Sequence, residues 1–332
     1  TGFEYPITTN YQADSEQIDT AENYPRITEE IDEKTPEQEI TLIGEVEEKR
    51  EENVKHFLRS DYTYEAAVYP TAVHYEENGL WKDIDNTLVS SPEKEGILQN
   101  KSNKYKVEFS QESSASELVK ITRDGYELSW ALRDAPALSR LQVLEMQAKN
   151  SETDKTVLEK ISSKVIYEQV YPQVDLRYSI EPQRVKEEIV LSAVPVQEKF
   201  TFDMKVKDLK AEFEESGTIV FISTLTGEVI YRIQKPFMYD MKEGYSEEIQ
   251  MLLVPVKGGY ELSIIPDRAF LESKDRVYPV IIDPVVETEA NVLTIHDNHV
   301  SSAYPTTNYF QTHVLKTGVS SISGTNRTYI KF

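Results

Sequence analysis

The chain of 332 residues contains no cysteine, and this absence excludes several kinds of chemistry. Without thiols, the protein has no disulfides, no zinc sites with thiolate ligands and no thiol nucleophile. The absence of cysteine is also compatible with secretion and weakly favours an extracellular location. No stretch approaches the roughly 18 consecutive apolar residues of a membrane-spanning helix. We therefore predict an extracellular or cell-wall-associated protein without membrane insertion and without a cofactor.

Basic residues are also scarce. The chain has 36 Lys and Arg against 58 Asp and Glu, so its formal net charge is −22. Phosphate recognition needs a cationic surface, and anionic membrane surfaces attract cations as well. The charge predicts high solubility and no nucleic acid partner.

Recognisable catalytic motifs are absent. The sequence has no phosphate-binding loop, no GxGxxG, no GxSxG and no HExxH. With 58 acidic residues, any one carboxylate pair carries little information about glycoside hydrolysis. Six aspartates lie beside predicted strand ends, where Asp usually bonds its own backbone in a turn: Asp83, Asp85, Asp175, Asp240, Asp267 and Asp283. We predict that the protein is not an enzyme, with a glycosidase or protease of unfamiliar type as the alternative.

The histidines offer one conceivable metal site. His296 and His299 are close in sequence, and His313 follows. In an extended segment, however, residues three apart lie on opposite faces. We therefore predict structural or exposed roles for these histidines and no metal site.

The first part of the chain is acidic. Residues 1–52 hold 16 Asp and Glu against 4 Lys and Arg. Such a composition buries too little apolar surface to offset the entropy of ordering. We predict a flexible tether over residues 1–44. The alternative is a segment that orders along a partner, with four apolar or aromatic anchors: Phe3, Tyr5, Ile7 and Tyr11.

One helix is predicted, over residues 44–59. This segment is rich in helix-forming residues, and its apolar side chains fall on one stripe. The stripe consists of Val46, Val54, Phe57 and Leu58, with His56 beside it.

After Asp61 the apolar residues recur every second position. Examples are 105–109, 126–132, 174–180, 200–206 and 260–264, and Gly-containing turn signals such as Asn78-Gly79 and Asp124-Gly125 separate the runs. This pattern predicts antiparallel strands with one buried and one wet face. The fold class is therefore mainly β, with antiparallel β-sandwich domains and one short N-terminal helix. Residues 186–188 (KEE) are predicted to form a solvated sheet edge.

The connection over residues 135–160 is less regular. Its apolar residues fit either a short helix or a strand, and we predict that it divides two sandwich-like halves. These residues are Leu138, Leu141, Val143, Leu144 and Met146.

Aromatic residues are candidates for glycan contact. The chain has 20 tyrosines, spread over its whole length. Tyrosine on a sandwich face packs in the core and keeps its hydroxyl hydrogen-bonded, but the same ring also stacks on sugars. Trp130 alternates with apolar neighbours and is predicted to lie in the core. Trp81, with Tyr75, is the candidate glycan contact.

Several short motifs, in a shared order, resemble the region before the DNRLRE module in secreted proteins of Gram-positive bacteria. They are residues 54–57 (VKHF), 62–64 (YTY), 67–70 (AVYP), 73–75 (VHY), 79–88 (GLWKDIDNTL), 174–178 (VDLRY) with 185–187 (VKE), 235–238 (KPFM) with Asp240, and 276–280 (RVYPV) leading into 282–284 (IDP). The family is that of wall-associated-protein-A-like and Rhs-type YD-repeat proteins. The resemblance covers roughly residues 45–332.

The last segment is similar to the opening of the DNRLRE module itself. The matching pieces are residues 292–300, 305–309, 314–318 and 327–332, with departures from the family pattern at Asn298 and Phe310. The resemblance implies that residues 45–285 are a β-sandwich-rich region and residues 286–332 the truncated start of a jelly-roll-like module.

The resemblance implies a secreted or wall-attached protein, in a family whose members carry YD repeats and a variable C-terminal toxin. The leading hypothesis is a non-catalytic region that presents downstream domains of the same polypeptide. The resemblance alone implies that this polypeptide is a polymorphic toxin carrier. The alternative is an adhesive module that binds cell-wall glycan or another surface protein.

Overall fold

The computed structural model describes residues 40–136, 140–145, 158, 160–242, 244–288, 296–303, 318–320 and 324–331. Most of the predicted tether, residues 1–39, lies outside these ranges. The described residues form mainly antiparallel strands, as the two-residue alternation predicts. No helix among them is both long enough and apolar enough to span a bilayer.

The chain order of the elements is as follows. The first strands are β1 (Leu42–Glu45), β2 (Val54–Arg59), β3 (Tyr64–Val68), β4 (His74–Glu77), β5 (Leu80–Asp83), β6 (Asp85–Ser90), β7 (Ile97–Ser102), β8 (Lys106–Ser110), β9 (Val119–Arg123), β10 (Tyr126–Leu132) and β11 (Arg140–Glu145). Next come β12 (Ser163–Tyr171), β13 (Val174–Glu181), β14 (Arg184–Leu191), β15 (Phe200–Lys207), β16 (Leu209–Phe213), β17 (Ile219–Ser223), β18 (Val229–Ile233), β19 (Phe237–Tyr239) and β20 (Tyr245–Ser246). The last are β21 (Ile249–Val256), β22 (Gly259–Pro266), α1 (Arg268–Glu272), β23 (Val280–Asp283), β24 (Val285–Glu287), β25 (His296–Ser301), β26 (Gly318–Ser320) and β27 (Gly324–Lys331).

Two large sheets make up the body. One has eight strands in the order β21-β22-β15-β10-β9-β8-β7-β6. The other has 11 strands, built on the order β11-β12-β13-β14-β24-β18-β17-β16, with β19, β20 and β23 attached beside it. The eight-stranded sheet thus takes strands from before and after residues 135–160. The domain boundaries, including the division near 135–160, remain predictions.

A single apolar core lies between the two sheets. Alternate residues of β8, β10 and β15 from one sheet, and of β12, β13 and β14 from the other, are buried in one cluster. Phe109 and Trp130 of the first sheet pack on the ring of Tyr178 in the second, with ring centroids 5.6 and 6.4 Å away. The prediction that Trp130 is a core residue is confirmed, because only 3% of it is exposed.

Tyrosine hydroxyls join the sheets at the rim of this core. Tyr167 donates to the carbonyl of Ser110 at 2.6 Å, and Tyr231 donates to the carbonyl of Tyr126 at 3.0 Å. Each ring is buried while its hydroxyl satisfies a backbone acceptor on the opposite sheet. These tyrosines therefore serve packing, which was one of the two roles open to them in the sequence.

The predicted helix over residues 44–59 is wrong. The segment instead forms the end of β1, a 3₁₀ turn at Glu47–Lys49, and β2. Phe57 pairs with Glu45 on one side and Glu65 on the other, and it is buried in a small core. Helix propensity is a weak prior, and strand pairing on both sides of β2 overrides it.

The small core lies under a three-stranded sheet, β1-β2-β3, and the hairpin of β4 and β5. Its buried members are Phe57, Ala67, Tyr69, Ala72, Val73, Ile84 and Ile161. The Asn86 amide donates to the Ile161 carbonyl at 2.8 Å and accepts from Asn100 at 3.1 Å, which joins this layer to the larger sandwich.

Two other predicted segments are partly described by the structure: the connection over residues 135–160 and the jelly-roll start over residues 286–332. Of the two alternatives for the irregular connection, the strand is present: β11 pairs with β12 over residues 140–145. Leu138 and Met146 lie outside the described residues. In the predicted jelly-roll start, the described residues form a three-stranded sheet in the order β25-β27-β26, and the module assignment remains a prediction.

Candidate functional site

The hairpin of β4 and β5 carries the candidate site. Asn78 and Gly79 both have positive φ, at 55° and 79°, which forms the tight turn predicted from that pair. The hairpin register places His74 directly opposite Asp83 and Glu76 opposite Trp81. Side chains directly opposite each other share a face of the pair.

A network of charged side chains surrounds His74. The Arg50 Nε atom donates to Glu45 Oε1 at 2.7 Å, and its Nη2 atom donates to Asp83 Oδ2 at 2.8 Å. The Lys55 ammonium donates to Asp83 Oδ1 at 2.5 Å and to Glu45 Oε2 at 3.4 Å. Two cations thus lie against two carboxylates that come from different strands.

His74 is fully enclosed in this network. Its side chain has 0% relative exposure, and its Nδ1 atom lies 2.6 Å from the carbonyl oxygen of Glu51. A carbonyl only accepts, so Nδ1 carries the proton and the neutral ring keeps its lone pair on Nε2. Burial, with the nearby charges of Lys55 and Arg50, lowers the pKa of His74. The ring is therefore neutral at pH 7.

The two carboxylates are held ionised. Burial acts to raise the pKa of Glu45, but the Arg50 hydrogen bond and the Lys55 charge outweigh it, and the pKa is lowered. Burial likewise acts to raise the pKa of Asp83, and the hydrogen bond and charge of Lys55 lower it. The oxygens nearest to His74 Nε2 are Glu45 Oε1 at 3.5 Å and Asp83 Oδ1 at 3.6 Å.

A cleft of about 190 Å³ opens beside the same hairpin. It is lined by Glu52, Ala72, His74, Tyr75, Glu76, Trp81, Ile84, Asn103, Lys104, Pro182 and Gln183. Pockets for drug-sized ligands measure about 300–1,000 Å³, so this cleft suits a small group such as one sugar ring.

Both predicted glycan contacts line this cleft. Tyr75 and Trp81 are half-buried, one on each strand of the hairpin. The register pairs Tyr75 with Lys82 and Trp81 with Glu76, so strand alternation puts the two aromatic residues on opposite faces of the hairpin. They therefore do not form one continuous stacking surface, and their contact with glycan remains a prediction.

The predicted turn-forming aspartates play several roles. Asp240 accepts from the backbone N–H groups of Lys242 and Gly244, each at 2.8 Å, and Asp267 caps helix α1. Asp283 is instead buried, with 4% of its surface exposed, and its Oδ2 atom lies 2.7 Å from Lys186 Nζ. For that residue the turn interpretation is wrong, because Asp283 lies in strand β23 between β14 and β19.

The predicted solvated edge at residues 186–188 is also wrong. Strand β14 pairs with β13 on one side and with β23 and β24 on the other, so it is an interior strand. Glu187 is 4% exposed and accepts from the indole N–H of Trp130 at 2.9 Å. Burial raises the pKa of Glu187 to about 7.

The structure says little about a metal site at the histidines near the end of the chain. His296 and His299 both lie in strand β25, three residues apart. His313 lies outside the described residues. Among those that the structure describes, the three acidic or imidazole groups close enough to share a metal ion are Glu45, His74 and Asp83. No sequence spacing links these positions, which come together only when β1 and the β4–β5 hairpin pack.

The chain is similar in sequence to WapA tRNA nucleases and to a wall-associated protein. It is 30% identical over 317 residues to the tRNA3(Ser)-specific nuclease WapA of Bacillus spizizenii, and 29% identical over 314 residues to the tRNA nuclease WapA of Bacillus subtilis. These matches cover 90% and 89% of this chain and 13% of each relative. It is also 24% identical over 212 residues to a wall-associated protein of Geobacillus stearothermophilus, covering 63% of this chain and 80% of that protein. No family model and no solved structure matches the chain.

These relatives support the predicted similarity to wall-associated protein A. The finer assignments to DNRLRE and Rhs-type YD-repeat proteins are matched by no family model and remain predictions.

Two predictions are overturned by the same relatives. The prediction that the protein is not an enzyme is contradicted, because two of these relatives are named tRNA nucleases. The prediction of no nucleic acid partner is contradicted for the same reason. The net charge of −22 describes a chain that spans 13% of the length of those nucleases, so it carries no information on the rest of such a protein.

Proposed function

We propose that this chain is the β-sandwich region of a longer wall-associated bacterial protein that acts as a tRNA nuclease. In this proposal the region positions the other parts of the polypeptide outside the cell, in the manner of a toxin carrier. The observation that supports it is the similarity to two WapA tRNA nucleases over about nine-tenths of this chain. The similarity to a wall-associated protein supports the location at the cell surface.

The architecture fits a positioning role. One apolar core joins the eight- and 11-stranded sheets, and tyrosine hydroxyls bond across it. Two sheets that share one core form one stiff unit, which suits it to hold other parts of a polypeptide. The domain limits that we propose are residues 45–285 for the sandwich region and 286–332 for the start of a jelly-roll-like module, with residues 1–44 as a tether.

The test uses the full-length protein and a variant that lacks residues 40–288. Full-length protein is expected to cleave tRNA in solution and, when displayed by one cell, in a susceptible neighbour. The deletion should reduce wall retention and cleavage in the neighbour more strongly than cleavage in solution. Full-length protein that leaves tRNA intact would contradict the nuclease assignment. Unchanged retention and delivery after the deletion would contradict the positioning role.

A second candidate function is contact with cell-wall glycan through Tyr75 and Trp81. It is supported by their place in one small cleft with polar neighbours, including Asn103 and Gln183. Aromatic rings stack on sugar faces while amides bond to hydroxyls. We expect the chain to sediment with purified peptidoglycan, and Trp81→Ala to weaken this binding. Tyr62→Ala is the matched control, because Tyr62 is 83% exposed and lies outside the cleft. Equal binding by the two variants would exclude the cleft as the contact.

A further inference from the structure

His74 Nε2 is a buried nitrogen that has no hydrogen-bond partner within the described part of the chain. Its lone pair faces Glu45 Oε1 and Asp83 Oδ1 at 3.5 and 3.6 Å. A metal ion that lies among these three atoms would satisfy the buried nitrogen and both carboxylate oxygens. We propose that Glu45, His74 and Asp83 form a binding site for a divalent transition-metal ion of the zinc type.

The geometry fits such an ion. A tetrahedral zinc ion lies about 2.0–2.2 Å from nitrogen and carboxylate ligands, which places the ligand atoms about 3.4 Å apart. The two distances from His74 Nε2 are close to this value, and all three ligand atoms lie within 4.8 Å of one another. One imidazole with two carboxylates favours zinc over magnesium or calcium, which prefer ligand sets made of oxygen alone.

The surroundings of His74 also match a metal ligand. The ring donates Nδ1–H to the Glu51 carbonyl at 2.6 Å, and this bond fixes both its orientation and its tautomer. Metal-bound histidines make this contact with their second nitrogen. Each ligand comes from a different strand, β1, β4 or β5, so the sheet and the hairpin hold the three groups in place.

Lys55 is the competitor for this position. Its ammonium bonds Asp83 Oδ1 at 2.5 Å, so the lysine supplies positive charge where the ion would lie. Arg50 bonds Asp83 Oδ2 at 2.8 Å, whereas the Asp83 oxygen near His74 Nε2 is Oδ1. Arg50 Nε also bonds the ligand oxygen Glu45 Oε1 at 2.7 Å. A carboxylate oxygen has a second lone pair for the ion, so Arg50 keeps both contacts when the ion binds. Metal binding therefore displaces the Lys55 ammonium and retains the Arg50 contact with Asp83.

The test titrates zinc chloride into the 332-residue chain at pH 7 by calorimetry, with the unfolding temperature measured in parallel. We expect one zinc ion per chain at this site and a higher unfolding temperature. His74→Gln should weaken this binding by at least about tenfold, since even the partners behind a ligand are worth about 10–100-fold. His56→Gln is the matched control, because His56 lies on neighbouring β2 and bonds the Lys49 carbonyl through Nδ1 at 2.7 Å. The control should bind zinc like the unmodified chain.

Two further variants change the site at residues other than His74. Asp83 is half-exposed, so Asp83→Asn should fold and lose zinc binding even if His74→Gln fails to fold. Lys55→Met removes the competitor and should tighten binding. Cobalt(II) should give the visible absorption of a tetrahedral site, and zinc should remove it. The absence of zinc binding, or binding that persists in both His74→Gln and Asp83→Asn, would overturn the proposal.

Discussion

Trp130 donates its indole N–H to Oε2 of Glu187 at 2.9 Å, from one sheet of the sandwich to the other. Both residues are almost fully buried, at 3% and 4% exposure. The other carboxylate oxygen of Glu187 has no hydrogen-bond partner among the described residues. An ionised carboxylate is poorly solvated in such a core, and burial accordingly raises the pKa of Glu187 to about 7.

Because Glu187 is buried, we predict that the free energy of unfolding depends on pH. Between pH 4.5 and 7 the folded protein holds a proton on Glu187 that the unfolded chain has released. The stabilisation is thus complete below pH 4.5 and is lost as the pH rises through 7, by about 3 kcal/mol in total. Glu187→Gln keeps the acceptor for Trp130 and should remove this loss. Urea unfolding at pH 5 and pH 8 measures it.

The control for this experiment is Glu188→Gln, which changes the next residue of β14. Glu188 faces the other side of the strand and lies 3.2 Å from the Lys186 ammonium. This variant should keep the pH dependence of the unmodified chain. If the free energy of unfolding changes equally between pH 5 and pH 8 in the unmodified protein and in Glu187→Gln, the Glu187 carboxylate is not the titrating group.

A second prediction concerns the ion pair of Asp240 and Arg276 and its effect on stability. Asp240 accepts from Arg276 Nη1 at 2.6 Å and from the backbone N–H of Val277 at 3.2 Å. The guanidinium also lies over the ring of Phe270, 3.5 Å from its centroid. Asp240→Ala removes the carboxylate that pairs with this largely buried cation and should cost about 3 kcal/mol in the free energy of unfolding. Asp275→Ala, at an exposed neighbouring position, should cost well under 1 kcal/mol. Similar losses for the two variants in denaturant titrations would contradict the role of this pair.

A third prediction concerns the tyrosine hydroxyls between the sheets. Tyr167→Phe removes the side-chain donor to the Ser110 carbonyl and with it one hydrogen bond between the sheets. We expect a loss of about 1–2 kcal/mol in the free energy of unfolding. Tyr62→Phe, at the exposed position, should have no measurable effect. A Tyr167→Phe protein as stable as its parent would show that water replaces the missing donor.

Sequence periodicity predicted most of the strands but not the contacts that define the site. Alternation at residues 126–132 and 174–180 corresponds to β10 and β13, because a strand with one buried face leaves that pattern in any sequence. The helix over 44–59 failed because its glutamates and lysines favour helix locally, whereas Phe57 is buried by strands on both sides.

The candidate site depends on distant partners. Glu45, His74 and Asp83 meet through the packing of β1 against the hairpin, and no local pattern records that meeting. The same holds for Glu187, which reads as one of three charged residues in a row. Only the interior place of β14, between β13 and β23, shows that its carboxylate is buried. Predicted aromatic positions came closer, since Tyr75 and Trp81 do line one cleft.

Gly259 carries the last prediction. It pairs with Lys205 in the neighbouring strand, and a Cβ atom on it would lie 1.9 Å from the carbonyl oxygen of Met204. The obstacle is the backbone of the neighbouring strand β15, so Gly259→Ala forces the start of β22 away from β15 and should cost about 3 kcal/mol. Gly258 next to it has open space, but its φ of +87° makes an alanine there strained by about 1–2 kcal/mol. Chemical denaturation of the two variants should therefore rank Gly259→Ala as the less stable. The reverse order would mean that backbone strain at the turn, and not the close approach of β22 to β15, limits the choice of residue here.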